Sequence, residues 1–195
     1  MDKLASLEGL IDKVQIDIID GVFANNRTID PEALLDLEGT YKFDFHLMVK
    51  NPIDWVEKVS RVGANAIISQ IEMMDDQFEY MGKVQEVGAL VGIALDLDTP
   101  IEKINPEVLG SIDYLLLMGV KAGFGGQPFE EKVLDKIAKA DKIRKDEGLT
   151  FVIGVDGGID QTNYKKIFGA GADELAIGER LFEGNLENNL NSFEK

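Results

Sequence analysis

The chain has 195 residues with no cysteine, a single histidine and 36 acidic against 20 basic residues, a formal net charge of −16. That balance disfavours nucleic acid and anionic membranes as partners, and the lack of cysteine excludes a disulfide framework and thiolate metal sites. No apolar run reaches the roughly 18 residues of a membrane span, and Met1-Asp2-Lys3-Leu4 does not open a signal peptide, so one cytoplasmic domain over residues 1–195 is expected.

Residues 2–11 read as part of a helix. Strand-like apolar runs then recur at Val14–Ile19, Phe43–Val49, Ala66–Ile71, Leu90–Leu95, Tyr114–Met118, Phe151–Val155 and Glu174–Ile177. Helical patterns lie between and after them, at Pro31–Leu37, Pro52–Val62, Asp76–Val87, Ile101–Leu109, Phe129–Asp146, Gln161–Phe168 and Arg180–Leu190. Such alternation predicts parallel strands joined by crossover helices. Seven strands are one short of an eight-stranded barrel. The expectation is therefore a chain that begins after the first strand, or a barrel open between its first and last strands. Open edges call for a covering helix or a homo-oligomer.

The period of two along a strand separates faces. Gln15 and Asp17 share one face of the first run, and Asp44, His46 and Met48 share one face of the second. Gln70 and Glu72 are expected to share a face after Ala66, and Asp156 ends the sixth run. Taken singly, the histidine reads as a hydrogen-bonded core residue and each aspartate as turn chemistry. Together, polar groups from four strands converge on one end of one cavity.

Two glycine turns follow adjacent strands: Val120 to Phe129, containing Gly123, Gly125 and Gly126, and Asp156-Gly157-Gly158. Glycine lets backbone N–H groups approach an anion closely, and in a barrel such turns lie at the C-terminal mouth, where phosphate is held.

These segments resemble the ribulose-phosphate 3-epimerase family over nearly the whole chain. The resemblance rests on Asp17 to Phe23, Asp44 to Pro52, Met118 to Phe129, Val155 to Ile159, Gly171-Ala172-Asp173 and Ile177-Gly178. It implies an α/β fold, a (β/α)8 TIM barrel that binds ribulose phosphate, here comprising the family's strands 2 to 8. It further implies inversion at C3 of a phosphorylated sugar, assisted by a divalent metal (Mg²⁺, Mn²⁺ or Zn²⁺). By the same resemblance Asp17 and Asp156 form the acid/base pair and ligate the metal with His46 and Gln15. Met48 and Met118 would pack around the enediolate, and Gly123, Gly125, Gly126, Gly157, Gly158, Gly178, Glu179 and Arg180 would contact substrate.

The chain departs from the family pattern at four points. Gln15 stands where the family has histidine, replacing an imidazole by an amide and shifting preference from Zn²⁺ towards Mg²⁺ or Mn²⁺, or abolishing tight binding. Gln70 also replaces a usual histidine, Lys121-Ala122 an acidic residue and proline, and Glu179 a serine beside the phosphate. Two alternatives stay open: a catalytically degenerate sugar-phosphate-binding homologue, and another phosphate-binding barrel enzyme such as an aldolase or decarboxylase. The loop position of Lys121 argues against a Schiff-base aldolase.

Overall fold

The computed structural model describes residues 2–35 and 41–193. Seven strands form one parallel sheet in sequential order: β1 Lys13–Ile19, β2 Lys42–Met48, β3 Ala64–Gln70, β4 Leu90–Leu95, β5 Tyr114–Met118, β6 Val152–Asp156 and β7 Glu174–Ala176. Each lies within two residues of the run that predicts it. The α-helices are α1 Asp2–Leu7, α2 Ile53–Ser60, α3 Gln77–Glu86, α4 Pro106–Leu109, α5 Val133–Glu147, α6 Tyr164–Ala170 and α7 Leu186–Asn191.

Helix boundaries differ from expectation where local chemistry interrupts the pattern. Pro31–Leu34 is only a 3₁₀ turn, entered through Asp30, whose carboxylate accepts from Glu32 N; residues 36 and 37 of that expected helix lie outside the described residues. The expected Ile101–Leu109 helix splits into a 3₁₀ turn, Ile101–Lys103, and α4, because Asn105-Pro106 restarts the chain. Arg180–Leu190 likewise divides into the 3₁₀ turn Glu179–Phe182 and α7, separated by Gly184 and capped anew by Asn185. Helices α5 and α6 begin later than expected, at Val133 and Tyr164.

Strand alternation builds two apolar layers. One strand face, with Ile18, Phe45, Leu47, Ile67, Ile93, Leu95, Leu115, Leu117, Ile153 and Val155, meets the helices through Val56, Val59, Val84 and Ile137. The opposite face lines the barrel interior with Ile19, Met48, Ala66, Ile68, Ala94, Leu116 and Met118. Gly92 admits Ile68 there: a methyl on it would lie 2.5 Å from Ile68 Cγ1.

The barrel does not close by hydrogen bonding, since β1 and β7 are not paired. Side chains bridge them instead. Lys13 Nζ of β1 pairs with Glu174 of β7 and lies 3.4 Å from Asp44 of β2. Tyr114 Oη donates to Glu174 at 2.9 Å, and burial with the Glu174 charge pushes its phenol up, so it stays a donor. The gap encloses a cavity of about 420 Å³, walled by Leu4 and Leu7 of α1, by Ile11, and by Leu181, Phe182, Leu190 and Phe193. Tyr41 Oη donates to Leu4 O at 2.7 Å, and Lys3 lies 5.0 Å over the Phe182 ring. A terminal helix thus flanks the open edges.

Candidate active site

Interior-facing positions carry the polar cluster. Parallel register sets Asp17 of β1 beside His46 of β2, and His46 beside Ile68 of β3. His46 and Gln70 have no exposed surface, whereas the Asp17 side chain is 45% exposed and that of Asp156 16%. His46 Nδ1 lies 3.2 Å from Asp17 Oδ1 and 3.5 Å from Asp156 Oδ2. Gln15 Nε2 donates to both carboxylates, at 3.0 Å to Asp17 Oδ1 and 2.8 Å to Asp156 Oδ2. Behind the imidazole, Gln70 Nε2 lies 3.1 Å from His46 Nε2.

The structure thus brings Gln15, Asp17, His46 and Asp156 into one contact network, with Gln70 behind it. Glu72 does not share the Gln70 face: the strand ends at Gln70, Glu72 lies in the 3₁₀ turn Ile71–Met73, and its Oε1 accepts from Asp96 N. Asp20 anchors a turn, accepting from Val22 N and Phe23 N through Oδ1 and from Lys50 N through Oδ2.

The two carboxyls sit in opposed fields. Burial and the Asp17 charge push Asp156 up, against weaker help from His46 and Gln15. The surrounding protein also disfavours charge on Asp17, but the His46 hydrogen bond and charge, with the Gln15 amide, outweigh that and hold it below the usual carboxylate range. Burial works against a charged His46, yet its contacts with Asp156 and Asp17 raise it from 6.5 to about 9.

A stability prediction follows for chelator-treated protein. A histidine raised in the folded state stabilises fully below its unfolded value, 6.5, and loses that contribution as pH rises through about 9. The expected loss across this window is about 3 kcal/mol, or a thermal midpoint roughly 10 °C lower. Melting curves from pH 6 to 10 check it: His46→Gln should flatten the profile, and a flat wild-type profile contradicts it.

Asp17, His46 and Asp156 each offer one ligand atom, all within 4.8 Å of one another. Two carboxylates and an imidazole suit a divalent cation, while Gln15 meets the carboxylates through its amide nitrogen. The donor set therefore fits such an ion.

The two glycine turns abut. A methyl on Gly119 would lie 2.5 Å from Gly157 O, and one on Gly158 would lie 2.5 Å from Phe129 N. Among the described residues the N–H groups of Gly125, Gly126 and Gly158 donate to no protein atom. Residues outside the expected set hold these turns. Asp96, just after β4, accepts from Ala122 N at 2.8 Å. Gln127 donates to Lys121 O and Phe124 O, and Asn26 donates to Gly123 O. The position of Asp96 directly after an apolar run, like that of Asp156, was the available signal. Met48 and Met118 are buried in the interior layer. Gly178 lines the cavity between β1 and β7, while Arg180 turns to Asp160 at 2.6 Å and the exposed Glu179 lies 3.7 Å from Lys3.

The sequence profile of the Ribulose-phosphate 3 epimerase family matches residues 2–182. A ribulose-phosphate 3-epimerase of Treponema pallidum is 34% identical over 179 residues, covering 91% of this chain and 82% of the relative. One of Chlamydia pneumoniae is 36% identical over 178 residues, covering 89% and 77%. Among solved structures, 3-keto-L-gulonate-6-phosphate decarboxylase from Vibrio cholerae superposes with a TM-score of 0.68 at 13% identity, covering 98% of this chain and 86% of that one. Phosphoribosyl anthranilate isomerase from Thermus thermophilus gives 0.64 at 17%, covering 98% and 90%. At that identity the two structures speak for the fold alone, a (β/α) barrel. A family profile across nearly the whole chain, with relatives above 30% identity, makes the conclusion plain: the chain belongs to the ribulose-phosphate 3-epimerase family.

Proposed function

We propose that this chain is a sugar-phosphate 3-epimerase acting on D-ribulose 5-phosphate or a close ketose phosphate. The observation that carries the reading is the pairing of two carboxylates, from β1 and β6, through one amide and one buried imidazole beside the glycine turns.

Inversion at C3 needs one group to take the proton and another to return one on the opposite face. Opposed fields assign those roles, since environments that drive two carboxyls apart leave one ionised and one protonated. Asp17, held ionised, takes the C3 proton. The C3–H bonding pair moves into a C2–C3 double bond and the C2 oxygen becomes anionic. Asp156, held towards its protonated form, delivers a proton to the other face of C3 as the carbonyl reforms. In the reverse direction the roles exchange. A divalent cation held by Asp17, His46, Asp156 and Gln15 supplies Lewis-acid stabilisation of the anionic oxygen when bound. Met48 and Met118 exclude water from the reacting face. The free N–H groups of Gly125, Gly126 and Gly158 receive the phosphate, with Gly123, Gly157 and Gly178 shaping the surrounding turns. Against a net charge of −16, such backbone donors hold an anion without a dedicated cation.

A single domain, a cytoplasmic location and a homo-oligomer are part of the same proposal. Among the described residues no helix is long and apolar enough to cross a membrane.

One observation favours a second reading. Gln15 aims its amide N–H groups, not its oxygen, at both carboxylates, an arrangement suited to a metal-free sugar-phosphate-binding protein. Incubation of D-ribulose 5-phosphate with chelator-treated protein, with and without Mg²⁺, Mn²⁺ or Zn²⁺, separates the two. Formation of the C3 epimer supports the enzyme; binding without conversion under every condition supports the alternative.

A further inference from the structure

Gln70 closes the back of the His46 pocket, and both side chains are fully buried. Its Nε2 lies 3.1 Å from His46 Nε2, while its Oε1 is buried with no hydrogen-bond partner among the described residues. A buried, unpaired amide oxygen is costly, because it has given up water without gaining a donor. In the neutral ring, an N–H pointed at His46 Nε2 requires a lone pair there, which leaves the ring proton on Nδ1, facing Asp17 and Asp156. That tautomer cannot give Nδ1 to a cation. Turning the Gln70 amide over places Oε1 against His46 Nε2, satisfies the orphaned oxygen, and selects the tautomer with its proton on Nε2 and its lone pair on Nδ1.

We infer that Gln70 is the positioning residue of the cation site, its reversible amide setting which imidazole nitrogen of His46 faces the two aspartates as a donor or as a ligand. The inference rests on the cation site proposed above but not on turnover. An outer partner that fixes a ligating histidine is worth about 10–100-fold in metal affinity.

The single histidine makes the test direct. Protein labelled with ¹⁵N in the histidine ring is titrated with Zn²⁺ alone and followed by long-range ¹H–¹⁵N correlation. The Zn²⁺-loaded protein should carry its ring proton on Nε2, with Nδ1 unprotonated and metal-shifted. Calorimetry should find Zn²⁺ binding weakened about 10–100-fold in Gln70→Met and retained in Gln70→Glu, which still accepts from Nε2–H. Circular dichroism melts of the metal-free variants control for folding, and the wild-type spectrum decides the question if Gln70→Met does not fold. A proton on Nδ1 in the loaded protein, wild-type affinity in folded Gln70→Met, or no Zn²⁺ uptake by the wild type overturns the inference. A wild type that binds Zn²⁺ through Nδ1 yet leaves D-ribulose 5-phosphate unchanged upholds it and removes the epimerase reading.

Discussion

Asp156→Asn is expected to lower epimerisation of D-ribulose 5-phosphate by roughly 10²–10⁴-fold, the usual worth of a positioned acid/base group. Asparagine keeps the shape and can place its amide oxygen where Asp156 Oδ2 meets both Gln15 and His46, so the barrel should remain folded. What it cannot do is deliver a proton to C3 and regain one. The loss should therefore fall on kcat more than on KM, with a thermal midpoint close to wild type. Steady-state kinetics in both directions, beside a melting curve, check this. A folded variant within about tenfold of wild type would contradict a role for Asp156 in proton transfer.

Gly158→Ala should give the largest loss of stability among the glycine-turn variants. Gly158 has φ +70°, and an added Cβ would lie 2.5 Å from Phe129 N and 2.6 Å from Phe129 Cα. Those are backbone atoms, so the strain is relieved only by moving the end of the neighbouring turn. Left-handed backbone and overpacking together are expected to cost about 2–4 kcal/mol. Gly125→Ala is the control: among the described residues nothing lies within 4 Å of its added Cβ, and the change should stay within about 0.5 kcal/mol. Urea midpoints of both variants test the pair. Equal stabilities would show that the two turns do not press on each other as described.

The strands were legible because a buried parallel strand is a short apolar run, and the period of two placed Gln15, Asp17, Asp44 and His46 on one face without further information. The helices were less legible. Side-chain pattern alone did not register the restart at Asn105-Pro106 or the break at Gly184. The bridge from Lys13 to Glu174 spans 161 residues of sequence, and neither residue advertises its partner; only a sheet that curls until β1 faces β7 brings them together. The identities of Gln15 and Gln70 were visible as departures from the family pattern, but not which end of each amide faces its neighbours. Those contacts exist only in the folded site, where the Gln15 amide meets two carboxylates and the Gln70 amide meets one imidazole nitrogen.

Solvent deuterium incorporation at C3 of D-ribulose 5-phosphate, in protein stripped of metal and then supplied with Mg²⁺, Mn²⁺ or Zn²⁺, tests the central claim most directly. The two-aspartate account predicts exchange at C3 that depends on the added cation and is lost in Asp17→Asn, while conversion to the C3 epimer is lost in both Asp17→Asn and Asp156→Asn. No exchange with any cation, from protein that binds the sugar phosphate, would contradict it.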